Sequence, residues 1–500
     1  SLFVAAAPLA PVSAQQGRPA QAQGEKPAAP APAPAPGAPS PDKTTKHRLA
    51  LPGGGELAFT ATAGTIRLTT LDGGAPVADM AYIAFIRDDA GDAARRPVTF
   101  AMNGGPGYAS AWLNLGALGP WRLPMDAAAA YPSAPPALTP NAESWLPFTD
   151  LVFLDPAGTG YSRALSEDAR KSLWSVNGDL DSLATTIRRW LAANERGGSP
   201  VFIAGESYGG FRAPKIAHRL QTDQGVGVAG LVLVSPVLDF GRFNATSGLL
   251  DHVARLPSYA AARRGLTKPQ QRADLADVEA YAKGPFLADL MAGPRDAEAM
   301  ARLTARVSEL TGIAPDVVRR YGARIPMGAF LEEFRRPQGA VVSMYDALVT
   351  GIDPSPYSER PDAQDQMRLG LHAPITQAMV RLYARELEQP MPGGRYFFMS
   401  EQAGRQWDWG NRARQEATGD LASAMALDPR MRTLVAHGLT DLVTPYFETQ
   451  MVLDQLPPLG DPARLRFVVY QGGHMFYSEE GSRQRFRDDA RAMIEAATAR

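Results

Sequence analysis

The chain contains no cysteine among its 500 residues. That excludes disulfides, thiolate zinc sites, iron–sulfur clusters and a cysteine nucleophile. It does not exclude an oxidising compartment, because a chain of this length can build a core that needs no cross-links. Charge of one sign is also missing. Lys plus Arg total 51 against 52 Asp plus Glu, a net charge of −1. No broad field is available to gather nucleic acid or an anionic membrane. Histidine is scarce, at six, and no H-E-x-x-H or paired-histidine spacing is present, so the sequence implies neither a metal nor a cofactor. No stretch reaches the roughly 18 uninterrupted apolar residues of a membrane span.

What remains is an ordinary globular composition, 45% hydrophobic and 21% charged. The beginning is different. Leu2 to Ala10 (LFVAAAPLA) is a short apolar run, followed by small residues at Val12-Ser13-Ala14 and then by polar Gln15-Gln16. This predicts a signal-peptide remnant over residues 1–14 and an exported protein, periplasmic or secreted. Residues 15–45 read as a linker, since the alternating Ala/Pro run from Ala28 to Pro41 favours extended polyproline II.

A catalytic domain is expected over residues 46–500. Thr60 to Thr70 and Met80 to Arg87 are rich in β-branched and aromatic residues between glycine-rich turns, an antiparallel start to a sheet. Short apolar runs follow: Pro97 to Met102, Leu151 to Leu154, Val201 to Ala204, Leu231 to Val234, Thr433 to Ala436 and Leu465 to Tyr470. Each suits a strand buried on both faces of a parallel sheet. Leu180, Leu183, Ile187 and Leu191 recur at helical spacing. Alternating strands and helices predict an α/β fold. From about 240 to 375 the rhythm breaks. Met300, Leu303, Val307 and Leu310 share one helical face, and strong strand runs are missing. This segment reads as a helical cap inserted between two strands.

The chemistry is carried by a few short motifs. Gly205-Glu206-Ser207-Tyr208-Gly209 follows the run VFIA directly. In G-x-S-x-G a sharp strand-to-helix turn exposes the serine at the carboxyl edge of the sheet. The partners should follow in the order Ser, Asp or Glu, His. His474, in Gly472-Gly473-His474, follows the last strand run. His437 competes, but lies at the end of the preceding strand, where a structural histidine is the plainer reading. Asp441 sits in the loop after TLVA, with Asp454 and Asp461 as alternatives farther from a strand end. The expected roles are nucleophile for Ser207, base for His474 and imidazole-orienting acid for Asp441. Asn103-Gly104-Gly105-Pro106-Gly107 follows strand PVTFAM. Its plain reading is a turn. Its functional reading pairs the N–H of Gly105 with that of Tyr208 as an oxyanion hole. Trp407-Asp408-Trp409 could line a pocket, although buried packing is the commoner fate of such tryptophans.

These motifs together resemble the serine carboxypeptidase family of α/β-hydrolases, read here as a bacterial-type member. The resemblance rests on NGGPG (Asn103 to Gly107), LDPAGTGYS (Leu154 to Ser162), GESYGG (Gly205 to Gly210), HGLTDLVTP (His437 to Pro445) and GGHM (Gly472 to Met475). It implies the α/β-hydrolase fold and removal of single residues from peptide carboxyl termini. It also implies that Asn103, Gly104 and Glu206 bind the substrate carboxylate. A glutamate there repels a carboxylate unless protonated, so its pKa should be raised. The family's second glutamate is replaced by Ala117, which predicts a less acidic pH optimum. Tyr108 stands where the family has a cysteine. An esterase, an acyltransferase or another serine peptidase is the alternative. Proline iminopeptidases are disfavoured by Asn103 and Tyr208.

Overall fold

The computed structural model describes residues 39–499, apart from 52–53, 71–73, 126–132, 134–136, 244–247, 358–364 and 392–393. The signal-peptide reading and most of the linker lie outside the described residues.

The apolar runs at the centre of the sheet form strands because neither face meets water there, whereas the last run, Leu465–Tyr470, lies at the edge and is only partly buried. In chain order the main strands are β1 (Lys43–Ala50), β2 (Glu56–Thr69), β3 (Pro76–Arg87), β4 (Val98–Met102), β5 (Asp150–Leu154), β6 (Val201–Glu206), β7 (Gly230–Val234), β8 (Arg432–Gly438) and β9 (Leu465–Tyr470). β1 starts at Lys43, inside the segment read as linker. The sheet order is β1-β2-β3-β5-β4-β6-β7-β8-β9, and Arg163–Ala164 adds a short tenth strand beside β3. The first three strands are antiparallel, and β3 also meets β5 antiparallel. From β5 through β9 every pairing is parallel. Every residue of β4, β5, β6 and β7 is buried, which explains their continuous apolar character.

Chain order reverses at β4, whose neighbours are β5 on one side and β6 on the other. Such a switch point opens a crevice at the carboxyl ends of the strands. Register sets what meets there. Met102 pairs with Gly205, and Glu206 pairs with Val234. The residues that follow, Asn103 and Ser207, therefore leave the sheet at the same edge.

Helices cover both faces. α1 (Val176–Ala193) and α2 (Tyr208–Thr222) pack on one face. There the predicted stripe Leu180, Leu183, Ile187 and Leu191 is buried among Phe100, Ile203 and Phe211. Between β7 and β8 the chain leaves the sheet. This stretch includes α3 (Leu249–Gly265), α4 (Ala297–Thr311) and α5 (Thr418–Leu427). Leu303, Val307 and Leu310 of α4 join Val253, Leu256 and Phe330 in a core of their own, with Met300 at its margin. The stretch also contains a hairpin, Ala340–Val342 with Thr350–Ile352, that sequence reading missed. Three-residue strands are too short to show a period of two. α6 (Glu480–Thr498) closes the other face of the sheet, with Phe486 against Trp145 and Phe476.

Candidate active site

Ser207 sits between β6 and α2 with φ 61° and ψ −120°. A non-glycine residue in that region costs about 1–3 kcal/mol, and such strain persists where the surroundings fix it. Here two close approaches do so. A Cβ on Gly205 would lie 2.0 Å from the Gly209 carbonyl oxygen, and one on Gly104 would lie 2.4 Å from the Tyr208 amide nitrogen. The Asn103–Gly107 loop and the serine turn thus touch backbone to backbone. Tyr208 opens α2, so its N–H belongs to the first turn, which has no intrahelical acceptor. Gly105 lines the adjoining cavity.

A buried ion pair locks this contact. Arg212 on α2 donates to both Asp179 oxygens on α1, at 2.6 and 3.1 Å, and to the Asn103 carbonyl at 2.6 Å. The Arg212 and Asp179 side chains are 0% and 2% exposed. The guanidinium also stacks over the Tyr208 ring, 4.6 Å from its centroid. That ring points away from the cavity, into a packed group with Trp407 and Trp409. The two tryptophans therefore pack against the start of α2, and neither lines the cavity.

His474 Nδ1 lies 2.8 Å from Asp441 Oδ2, both side chains buried. Asp441 Oδ1 accepts the N–H groups of Val443 (2.8 Å) and Thr444 (3.0 Å). Thr444 Oγ1 lies 2.6 Å from Asp441 Oδ2 and 3.0 Å from the Ser235 carbonyl, and its one proton serves one of them at a time. With its Nδ1 proton held by Asp441, the neutral His474 ring keeps Nε2 as a hydrogen-bond acceptor. Burial lowers the His474 pKa, but attraction and a hydrogen bond from Asp441, reinforced by Glu206, outweigh it and leave the group raised.

Ser207 and His474 line one cavity of about 110 Å³, together with Asn103, Gly104, Gly105 and Glu206. Glu206 is buried, and burial pushes its pKa from 4.5 to about 7 against the opposing pull of His474 and hydrogen bonds from Tyr477 and Asn103. The Tyr477 hydroxyl donates to Glu206 Oε2 at 2.7 Å. Its ring packs on Gly116, beside Ala117, within 2.6 Å of where a Cβ on Gly116 would lie. A phenol therefore serves the glutamate on the side of the cavity where Gly116 and Ala117 lie. Tyr477 and Thr444 were missed by sequence reading, although each lies three residues beyond a predicted site residue.

The competing residues are elsewhere. His437 is buried at the end of β8 against Phe467, and burial drives its pKa down to about 3, so it is a neutral core histidine. Asp454 accepts from Gln450, and Asp461 caps a short 3₁₀ turn. A larger cleft of about 590 Å³ lies at the opposite ends of the strands, lined by Pro200, Val201 and Ala229, far from the serine turn. Among the described residues no group of three or more acidic or histidine side chains is placed to hold a metal ion, and no helix is long and apolar enough to cross a membrane.

A mostly parallel sheet with a strained serine turn, a late aspartate and a final histidine at one edge defines an α/β-hydrolase fold. Residues 75–242 match the family model described as serine carboxypeptidase. The pheromone-processing carboxypeptidase KEX1 of Yarrowia lipolytica is 33% identical over 146 residues, 29% of this chain and 22% of that protein. Serine carboxypeptidase-like 5 of Arabidopsis thaliana is 27% identical over 169 residues, 32% of this chain and 36% of that protein. The matched region thus spans about a fifth to a third of these curated relatives. The crystal structure of Kex1(Δ)p, a prohormone-processing carboxypeptidase from Saccharomyces cerevisiae, shares the fold at a TM-score of 0.56 and 15% identity, covering 87% of this chain and 90% of that one. These findings support the serine carboxypeptidase family. The relatives are fungal and plant proteins, which leaves the bacterial-type reading without support.

Proposed function

We propose that this chain is a serine carboxypeptidase that releases C-terminal residues from peptides through an acyl-enzyme. The observation that carries the reading is the Asp441–His474 hydrogen bond opening onto the cavity shared by Ser207 and Glu206. In the proposed sequence His474 Nε2 takes the Ser207 proton as the hydroxyl attacks the scissile carbonyl. The N–H groups of Gly105 and Tyr208 receive the oxyanion. His474 then protonates the leaving amine, and water releases the acyl group by the same steps in reverse roles. Asn103, Gly104 and the neutral form of Glu206 hold the substrate's terminal carboxylate.

Two measurements test this. Ser207→Ala should abolish labelling by a fluorophosphonate probe, and undiminished labelling would mean that another serine is the nucleophile. The wild-type protein should release the C-terminal residue from N-blocked dipeptides. Ala117 favours a second reading, an esterase or acyltransferase, because the carboxyl pair is incomplete. Turnover of aryl esters with no peptide cleavage would select it. We further propose that the helical stretch over about 240–375 caps the site. Export, periplasmic or secreted, rests on the composition of residues 1–14, and sequencing the N-terminus of the mature protein from each cell fraction tests it.

A further inference from the structure

The cavity beside Ser207 holds one cationic side chain that the proposed chemistry does not use. Arg368 comes from the stretch between β7 and β8, and it lines the same cavity as Ser207, Glu206 and His474. It follows Asp365, the nearest described carboxylate in sequence. That carboxylate is already committed: it accepts from Ser343 Oγ at 2.9 and 3.0 Å, from the Met344 N–H at 2.8 Å and from the Arg368 backbone N–H at 2.9 Å. These bonds fix where Arg368 enters the cavity while leaving its side chain to other partners. Among the described residues the guanidinium takes part in no ion pair, and its Nε is buried without a hydrogen-bond partner. The wall of that cavity also carries the aromatic rings of Tyr108, Trp112 and Tyr345.

A half-buried guanidinium without an ion-pair partner has lost part of its hydration and gained no counter-charge. Its planar fork matches a carboxylate in two parallel bonds. The other titratable groups lining the cavity are Glu206, His474, Tyr108 and Tyr345, and with Glu206 protonated below about pH 7 none of them supplies a negative charge at acidic pH.

We propose that Arg368 is a specificity-determining residue that binds a carboxylate of the residue being released. This rests on the carboxypeptidase reading and adds an anchor from the inserted stretch, where the family's second carboxyl is absent. The shared chemistry is a carboxylate. It is either the terminal α-carboxylate or an acidic side chain of the leaving residue.

Arg368→Gln and Arg368→Lys, with unfolding curves as the check on folding, test the proposal on N-blocked dipeptides. The substrates are paired as free acids against C-terminal amides, and as Glu against Gln at the leaving position. Loss of one charge-assisted bidentate contact predicts a fall in kcat/KM of about 10- to 100-fold, mostly in KM, for the carboxylate-bearing member of a pair, with partial recovery in the lysine variant. A fall confined to free acids assigns the α-carboxylate, and one confined to leaving Glu assigns the side chain. An equal fall on charged and uncharged members overturns the proposal. A second readout needs no peptide turnover. N-acetyl-phenylalanine, which carries only the terminal carboxylate, and N-acetyl-glutamate, which adds a side-chain one, should slow fluorophosphonate labelling of Ser207 in the wild-type protein, and at least one of them should protect Arg368→Gln at least 10-fold less well; equal protection of wild type and variant by both overturns the proposal. If wild-type protein cleaves no peptide yet shows this protection, the carboxypeptidase reading fails and the carboxylate anchor stands.

Discussion

Glu206→Gln separates the charge of the buried carboxyl from its shape. Burial raises this group from 4.5 to about 7, so the folded protein keeps a proton that the unfolded chain gives up. The stabilisation from that retained proton is complete below pH 4.5 and is lost as pH climbs through 7. At 1.36 kcal/mol per unit of pKa difference, the loss amounts to about 3 kcal/mol. Glutamine cannot titrate. The unfolding free energies of wild type and variant, measured in urea at several values between pH 4 and 9, should therefore diverge with rising pH. The variant should gain about 3 kcal/mol relative to wild type across that range. Activity should follow the same group. With wild type, kcat/KM on free-acid dipeptides should fall above about pH 7, as an ionised Glu206 meets the substrate carboxylate, and in the variant that limb should flatten. The acidic limb should move down, because Glu206 helps to raise His474. Stability curves that stay parallel from pH 4 to 9 would refute the assignment of Glu206 as a buried carboxyl held neutral.

The remaining predictions concern the groups around it. Tyr477→Phe removes the 2.7 Å bond that favours ionised Glu206, so the basic limb of the pH profile should move to higher pH; a shift to lower pH contradicts the contact. Asp441→Asn should cut kcat by roughly 10⁴, the scale seen when the acid of a Ser-His-Asp constellation loses its charge, with KM little changed; a loss under tenfold would remove Asp441 from that role. Asp179→Ala leaves the buried Arg212 guanidinium unpaired and should cost about 3–5 kcal/mol in urea unfolding; a cost below about 1 kcal/mol would show that the pair is solvated.

The sheet was legible because both its faces are covered. A strand such as Val201–Glu206, buried at every position, must be written as a continuous apolar run, and such runs are visible without coordinates. The serine turn was legible for a related reason. Gly104 and Gly205 stand where a Cβ would strike backbone at 2.4 and 2.0 Å, and close approach of that kind leaves glycine as a sequence mark. Side chains that act through contacts across the chain leave no such mark. Arg212, Asp179 and Tyr477 are common residues on helices or turns, and their value lies in partners 33 to 271 positions away. The hairpin at 340–352 escaped for a simpler reason, since its strands are only three residues long.

That hairpin shows how the inserted stretch bears on the chemistry of the sheet. Its turn reaches both loops that carry the late site residues. The Ala347 N–H donates to the Thr440 carbonyl at 3.1 Å, and the Leu442 N–H donates to the Met344 carbonyl at 3.1 Å, on either side of Asp441. The His474 N–H donates to the Tyr345 carbonyl. Asp346 is buried, with its pKa raised by burial to about 6, and accepts from Thr440 Oγ1 at 2.7 Å. A Cβ on Gly473 would lie 2.0 Å from the Tyr345 carbonyl oxygen, so the fit between the turn and the histidine loop is as tight as that at the serine. The sheet edge brings the Asp441 and His474 loops near each other, and the turn bridges both of them. The same stretch delivers Tyr345 and Arg368 to the cavity wall. Changes within it therefore reach the orientation of His474 as well as the shape of the cavity, and a loop exchange that alters residues 344–348 should lower kcat even where the catalytic residues are untouched.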